Sequence, residues 1–535
     1  MNDFVQDCST LQQPLEYFLP PEITFATLEP LLAPLGGLEV DPAAETGWRF
    51  FDTFDGRLYR GNTVLEELSS GKVLRINLRE LGTGRQLAEA SGRVPRFAED
   101  FVDFSLRQQL RPLSGIRAFL PLAAGTSRLE PARLLNEDQK TVVRLQLVTP
   151  ALSPDEADTE PVPLPRRLTI LPVRGYGQEC QAFLAKLQNI PDVTVAERDL
   201  LVDALAADGR EPGGYVGKVT LPLLPDEAAH LAVRKILLQL LDTMETNLAG
   251  TLANWDTEFL HDFRVAVRRT RSALSQLRGL FPAAMLARFR DEFKWLGSIT
   301  GPTRDLDVYL LNFPSYQNGL ADAYRDDLLP LHEFLLTRQK REQQKLTRAL
   351  TSPRYQTLVE DWRRFLNDEA LAEPVPENAL LPIGELAGRR ISKVFCKVLK
   401  DGGRIDAEAP AEDLHNLRID CKKLRYLLEF FAGLYPPQQV GRLIRALKKL
   451  QDNLGTFQDL SVQSLTLSSF AEEMLAGGKV PVQTLLAMGM LVENLERRRE
   501  MVRGEFAARF AKFSGERNRT LFKELFTAKG QEMRT

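Results

Sequence analysis

Apolar residues come in short runs separated by turn-forming residues over the first third of the chain. After about residue 226 they recur at three- and four-residue spacing instead. Runs such as Trp48–Phe51, Val73–Leu78 and Val142–Val148, bounded by Gly, Asn and Pro, predict β-strands from about Gln12 to Val173. The acidic, proline-rich stretch Pro150–Pro165 predicts an exposed loop. Helices are expected near 175–188 and 195–207. Asp208–Gly214 and Leu221–Pro225, rich in Gly and Pro, mark a linker. Helical periodicity then covers 227–250, 257–280, 320–350, 382–400, 411–433, 440–453 and 483–512, with a polar, proline-bearing break at Asn367–Glu377.

This helical region repeats itself. His261-Asp-Phe-Arg264-Val-Ala-Val-Arg268-Arg269-Thr-Arg271 aligns with His415-Asn-Leu-Arg418-Ile-Asp-Cys-Lys422-Lys423-Leu-Arg425. The same ungapped register places Gly279–Pro282 on Gly433–Pro436. It also places Lys294, Leu296, Gly301, Asp305, Leu306 and Val308 on Lys448, Leu450, Gly455, Asp459, Leu460 and Val462. A tandem duplication is the expectation.

At about 100° per residue, His261, Arg264, Arg268 and Arg271 share one helix face, as do His415, Arg418, Lys422 and Arg425. Phe263, Val267, Leu274 and Leu277 lie opposite in the first copy. Leu417, Cys421, Leu424, Leu428 and Phe431 do so in the second. A basic helix face is ordinarily just solvated, and a histidine on one is ordinarily a cap or a core-edge residue. Three features point elsewhere here. Acids that would neutralise the stripe at i+4 are missing, since Asp262 and Asp420 are expected to point elsewhere, the pattern occurs twice, and it claims two of the four histidines. Two such stripes facing one cleft would call for an anion between them. The rows Arg338/Arg341/Lys345/Arg348 and Arg389/Lys393/Lys397/Lys400 are candidates to extend that surface. No aromatic side chains interleave with the basic ones, so stacking on bases is not provided for. The ligand expected is phosphate alone.

Bulk composition adds one asymmetry. Of 535 residues, those from 226 onward hold 46 Lys+Arg against 41 Asp+Glu, and the remainder hold 23 against 31. Four scattered cysteines argue against a disulfide scaffold or a thiolate zinc site. No run of about 18 apolar residues offers a membrane span, and the start lacks a secretory pattern, so a cytoplasmic location is expected. P-loop, HExxH and GxSxG motifs do not occur.

The doubled H-x-x-R-x-x-x-[RK]-[RK]-x-R helix, with Lys294/Lys448 and the LG…DLxV segments after it, resembles the CHAD domain, the conserved histidine α-helical domain. That resemblance implies two tandem four-helix bundles, pseudo-twofold related, around a basic cleft that binds inorganic polyphosphate without catalysis. It also implies targeting to polyphosphate granules. The implied contacts are His261, Arg264, Arg268, Arg269, Arg271 and Lys294, with His415, Arg418, Lys422, Lys423, Arg425 and Lys448 in the second half. Arg304 is a further candidate, although its repeat partner is Gln458.

The N-terminal region is similar to the CYTH family of triphosphate tunnel enzymes through Phe50-Phe-Asp-Thr-Phe-Asp-Gly-Arg-Leu-Tyr-Arg-Gly61 and Leu19-Pro-Pro21. The resemblance implies an antiparallel barrel. The ExExK acids that would hold a metal are replaced by Gln12-Gln-Pro-Leu-Glu16, and Val64–Leu68 carries acids where basic residues are usual. Arg75 and Arg79 would share one strand face.

The α+β chain is thus read as a degenerate CYTH-like barrel (1–207), a linker (208–225), two helical halves (226–375 and 376–525) and a tail (526–535). No catalytic residue, metal or cofactor is assigned. The alternatives are a metal-dependent triphosphatase and a generic nucleic-acid or polyanion binder. The partner of the N-terminal domain is open.

Overall fold

The computed structural model describes residues 14–153, 160–213, 215, 217, 221–370, 373–478 and 480–526. Cys8, Gln12, parts of the 150–165 loop and of the linker, and all of the tail but Phe526 lie outside the described residues. The chain divides into two compact units, Met1–Val216 and Gly217–Thr535.

The first unit is built on one antiparallel sheet. Its strands are β1 (Leu15–Leu19), β2 (Gly37–Val40), β3 (Ala44–Thr53), β4 (Thr63–Ser70), β5 (Val73–Glu80) and β6 (Gln86–Ser91). They continue with β7 (Phe119–Leu135), β8 (Thr141–Leu152), β9 (Val162–Pro163), β10 (Arg166–Pro172) and β11 (Thr194–Val195). The helices of this unit are α1 (Phe25–Leu32), α2 (Arg57–Arg60), α3 (Phe104–Ser114), α4 (Gly177–Leu187) and α5 (Leu200–Ala207).

Strand order is β11-β1-β10-β8-β7-β3-β4-β5-β6, with β2 added on β7 and β9 on β8. The sheet therefore has two ends, and the expected barrel does not close. Each end is blunted. At β6, Gln109 of α3 donates to the Leu87 carbonyl at 3.2 Å, and the other end is the very short β11, paired with β1.

The helix α5 covers part of one sheet face. Leu201, Ala204 and Leu205 pack on Trp48, Phe50, Val64, Ala123 and Leu152. Acids at the start and in the first turn of α5 meet the sheet arginines. Asp199 takes both terminal nitrogens of Arg79, whose Nε lies 3.2 Å from Glu66. Burial disfavours both charges, yet the pairing holds the Asp199 carboxyl below and the Arg79 guanidinium above their ordinary values. Arg167 on β10 is paired with Asp203 and, at 2.9 Å, with Glu16. Arg75, expected to share the face of Arg79, sits at the exposed end of β5 and pairs with Glu89. In the FDTFDG stretch, Asp52 is buried and accepts from the backbone N–H groups of Thr53, Leu58 and Tyr59. It organises a turn.

Arg167 and Asp203 are both almost fully buried, so removing the acid strands a guanidinium in the interior. Asp203→Ala is expected to destabilise the first unit by about 3 kcal/mol, read from urea unfolding of the full chain followed by tryptophan fluorescence. A loss under ~1 kcal/mol would show that Glu16 and the Arg198 carbonyl satisfy Arg167 without Asp203.

The second unit is all helix: α6 (Ala229–Leu252), α7 (Thr257–Gln276), α8 (Ala283–Asn318), α9 (Asp322–Arg325), α10 (Leu329–Leu350) and α11 (Pro353–Asn367). There follow α12 (Ile383–Gly402), α13 (Ala411–Phe430), α14 (Pro437–Ala476), α15 (Val482–Phe513) and α16 (Glu516–Phe526). The starts of α6, α7 and α8 recur 154 residues later as the starts of α12, α13 and α14. The periodicity does not announce α8, which contains Gly297, Gly301, Pro302 and Pro314. The core does not split at the boundary of the halves. One apolar cluster joins Phe263, Leu274 and Phe293 of the first half to Leu417, Leu424 and Leu447 of the second. Another joins Tyr309, Phe313 and Leu331 to Leu460, Phe470 and Leu491. No helix among the described residues is long and apolar enough to cross a membrane.

Candidate functional site

The helix α7 begins at Asp256, whose carboxylate accepts from the N–H groups of Glu258 and Phe259. Its apolar stripe, Phe259, Phe263, Val267 and Leu274, is buried, as are Leu417, Cys421, Leu424 and Leu428 of α13. This burial fixes the rotation of both helices and turns their basic residues the other way. The two helices pack directly against each other.

On α7, Arg264 donates to Thr300 Oγ1 at 3.0 Å and to the Gly297 carbonyl at 3.4 Å. Burial pushes its guanidinium down to about 10. Asp305 opposes that shift, and Arg268, Arg304 and Arg271 reinforce it. Arg271 lies over Gly297, where a Cβ would come within 2.6 Å of its Nη1, so a larger residue on α8 at this point would make the end of the Arg271 side chain shift. Arg304 donates to the Thr257 carbonyl at 2.8 Å and to His261 Nδ1 at 3.0 Å. Because a guanidinium only donates, Nδ1 of His261 accepts, and the neutral ring carries its hydrogen on Nε2.

The second copy keeps this plan with different partners. His415 Nδ1 donates to Gln458 Oε1 at 2.8 Å, so Gln458 contacts its histidine from the position matching Arg304, but with the direction of the hydrogen bond reversed. Arg418 donates to Asp459 at 3.3 Å, and Arg425 to Gln451 at 3.1 Å. Lys422 is pushed down to about 8 by burial and by the charges of Arg418, Arg268 and Arg425, against the pull of Asp459. Arg268 belongs to the other copy. Arg268 and Lys422 occupy the same position in the two copies, 154 residues apart, and are close enough to repel.

Lys294 and Lys448 are exposed, on the faces of α8 and α14 that also carry Gly297 and Gly301, or Gln451 and Gly455. Among the described residues, the Nε–H groups of Arg264, Arg268 and Arg418 are buried without a hydrogen-bond partner.

Two of the expected contacts turn elsewhere. Lys423 pairs with the buried Asp420 at 2.9 Å, and Arg269 reaches Glu429 at 2.7 Å. Glu429 also lies 3.1 Å from Arg425 at i+4, which corrects the expectation that no such acid reaches the stripe. The supplementary rows are partly neutralised as well. Arg338 pairs with Glu473, Lys345 with Glu342, Arg389 with Glu385 and Lys397 with Asp420. Sequence reasoning misses Thr300 and Gly297, which seat the first-copy arginines. Neither carries a charge, and neither belongs to the matched positions of the repeat, so no signal in the chain points to them.

The family model for the CHAD domain matches residues 235–468, which include both histidine-bearing helices. These residues are a CHAD domain. The CHAD family is associated with polyphosphate and is generally non-catalytic. The chain is similar to the crystal structure of the CHAD domain from the plant Ricinus communis, with 27% identity, covering 55% of this chain and 94% of that one, at a TM-score of 0.47. PptA from Streptomyces chartreusis is 15% identical, covering 53% and 99%, at a TM-score of 0.42. A putative adenylate cyclase from Bacillus halodurans is 14% identical, covering 36% and 95%, at a TM-score of 0.25. An uncharacterized protein of Mycobacterium tuberculosis is 25% identical over 326 residues, which are 57% of this chain. The match spans 61% of the length of that curated relative.

Proposed function

We propose that the CHAD domain binds inorganic polyphosphate between the ridges of α7 and α13, without catalysis, and thereby directs the protein to polyphosphate granules. The supporting observation is that Lys422, depressed first by burial and then by Arg418 and Arg268, feels cations from both helices, with Asp459 opposing them only in part. Like charges brought together at a half-buried site raise the energy of the empty protein and lower that of a complex with a polyanion. Arginine suits phosphate oxygens, which it can take two at a time. On this reading the two halves are duplicated bundles related by a pseudo-twofold axis between Arg268 and Lys422. His261, Arg264, Arg271, Lys294, His415, Arg418 and Lys448 then contact the chain, Arg425 does so only once its Glu429 partner is displaced, and Arg304 orients His261. Arg269 and Lys423 lie outside the direct contact set because both are tied to acids. The N-terminal unit serves as a partner-binding or regulatory module, since Arg79 and Arg167 are already neutralised by Asp199 and Asp203.

The test is competition on the full chain at physiological salt, with labelled polyphosphate displaced by unlabelled polyphosphate, single-stranded RNA or heparin. Polyphosphate is expected to win, with log K falling by about 0.7 per phosphate neutralised for each unit of log salt. Equal displacement by RNA or heparin would replace this reading with a generic polyanion site.

A further inference from the structure

The strongest departure from symmetry between the two ridges is Glu429. Its Oε2 lies 2.7 Å from Arg269 of α7 and its Oε1 lies 3.1 Å from Arg425 of its own helix. One carboxylate thus bridges guanidiniums from both halves, using one oxygen for each, as a phosphate group would. The matching residue 154 positions earlier is Ser275, which carries no charge. At the mirror-related contact, Lys423 is instead neutralised within its own helix by Asp420. The acid is therefore not required by the fold of this repeat unit. It occupies two arginines at one end of the cationic surface.

We propose that Glu429 is an internal competitor for the polyanion. It closes the Arg269/Arg425 end of the groove and limits how many phosphate groups the domain engages. This rests on the polyphosphate reading above. A chain seated among His261, Arg264, Arg268, Arg418 and Lys422 reaches the Arg269/Arg425 end only by displacing the carboxylate. Each added phosphate contact there is then offset by the loss of the ion pairs that Glu429 makes. Glu429 is partly buried, with its side chain 23% exposed, so this exchange is less screened than on an open surface.

The experiment compares wild type with Glu429→Gln, which keeps the size and one acceptor oxygen, and with Glu429→Ser, which restores the residue of the first half. Binding of long-chain polyphosphate and of tripolyphosphate is measured on the full chain, with circular dichroism to check folding. Both variants are expected to bind the long chain roughly tenfold more tightly, with a salt dependence steeper by about one to two counterions. Tripolyphosphate, too short to span both ends, is expected to change little. Unchanged or weaker long-chain binding by a folded Glu429→Gln variant makes Glu429 a structural tie and overturns the inference alone. Absence of binding by the wild type overturns the polyphosphate reading, and this inference with it.

Discussion

Alanine at Arg264, Arg268, Arg418 and Lys422 together is expected to abolish polyphosphate binding and leave the helical signal intact. Charge-assisted hydrogen bonds contribute about 1.5 kcal/mol each, so four losses amount to about 6 kcal/mol, or roughly four orders of magnitude in Kd. The fold has little reason to suffer. Alanine is the best helix former, the apolar stripes of α7 and α13 are untouched, and the repulsion around Lys422 disappears. Titration of labelled polyphosphate, with circular dichroism alongside, reads both halves of the expectation. Retained affinity in a folded variant would move the site off these helices.

Lys422→Met separates stability from binding in opposite directions. The ammonium of Lys422 is held down to about 8, first by burial and then by Arg418 and Arg268, against an ordinary value near 10.5. Between those values the unfolded chain binds more protons than the folded one. The contribution of this group to stability therefore rises as pH climbs from about 8 to about 10.5, and it is fully lost once pH has fallen to about 8. Methionine keeps most of the volume and removes the charge. The ligand-free variant is thus expected to melt higher than wild type at about pH 7.5, with the gap narrowing by about pH 9.5. Its polyphosphate affinity drops by roughly tenfold. In the wild type, affinity weakens above about pH 8 as the ammonium deprotonates. Thermal melts with and without polyphosphate at the two pH values check all of this, and a ligand-free variant that melts lower than wild type at the lower pH would sink it.

What the sequence leaves unseen has a common cause. The helix α8 is not visible in the periodicity, because Gly297, Gly301, Pro302 and Pro314 break the pattern, although it supplies Thr300, Asp305 and Arg304 to the ridge. Arg271 lies on Gly297, a contact set by a neighbouring helix. Glu429 sits at i+4 from Arg425 and is legible as an ion pair within the helix, but its bond to Arg269 depends on how α7 and α13 meet. The open sheet likewise involves Gln109 at one end and β11 at the other, contacts between residues far apart in the chain.

Residue order alone determined which side of α7 and α13 is apolar, and which of their residues match at a spacing of 154, because helical phase is a local property of about 3.6 residues per turn. Only the tertiary structure decided that Arg268 and Lys422 come close, that Arg269 and Lys423 leave the ridge for carboxylates, and that α5 covers part of the sheet. Charges interact through space over a few ångströms, and the partners at that distance are chosen by packing of the buried stripes.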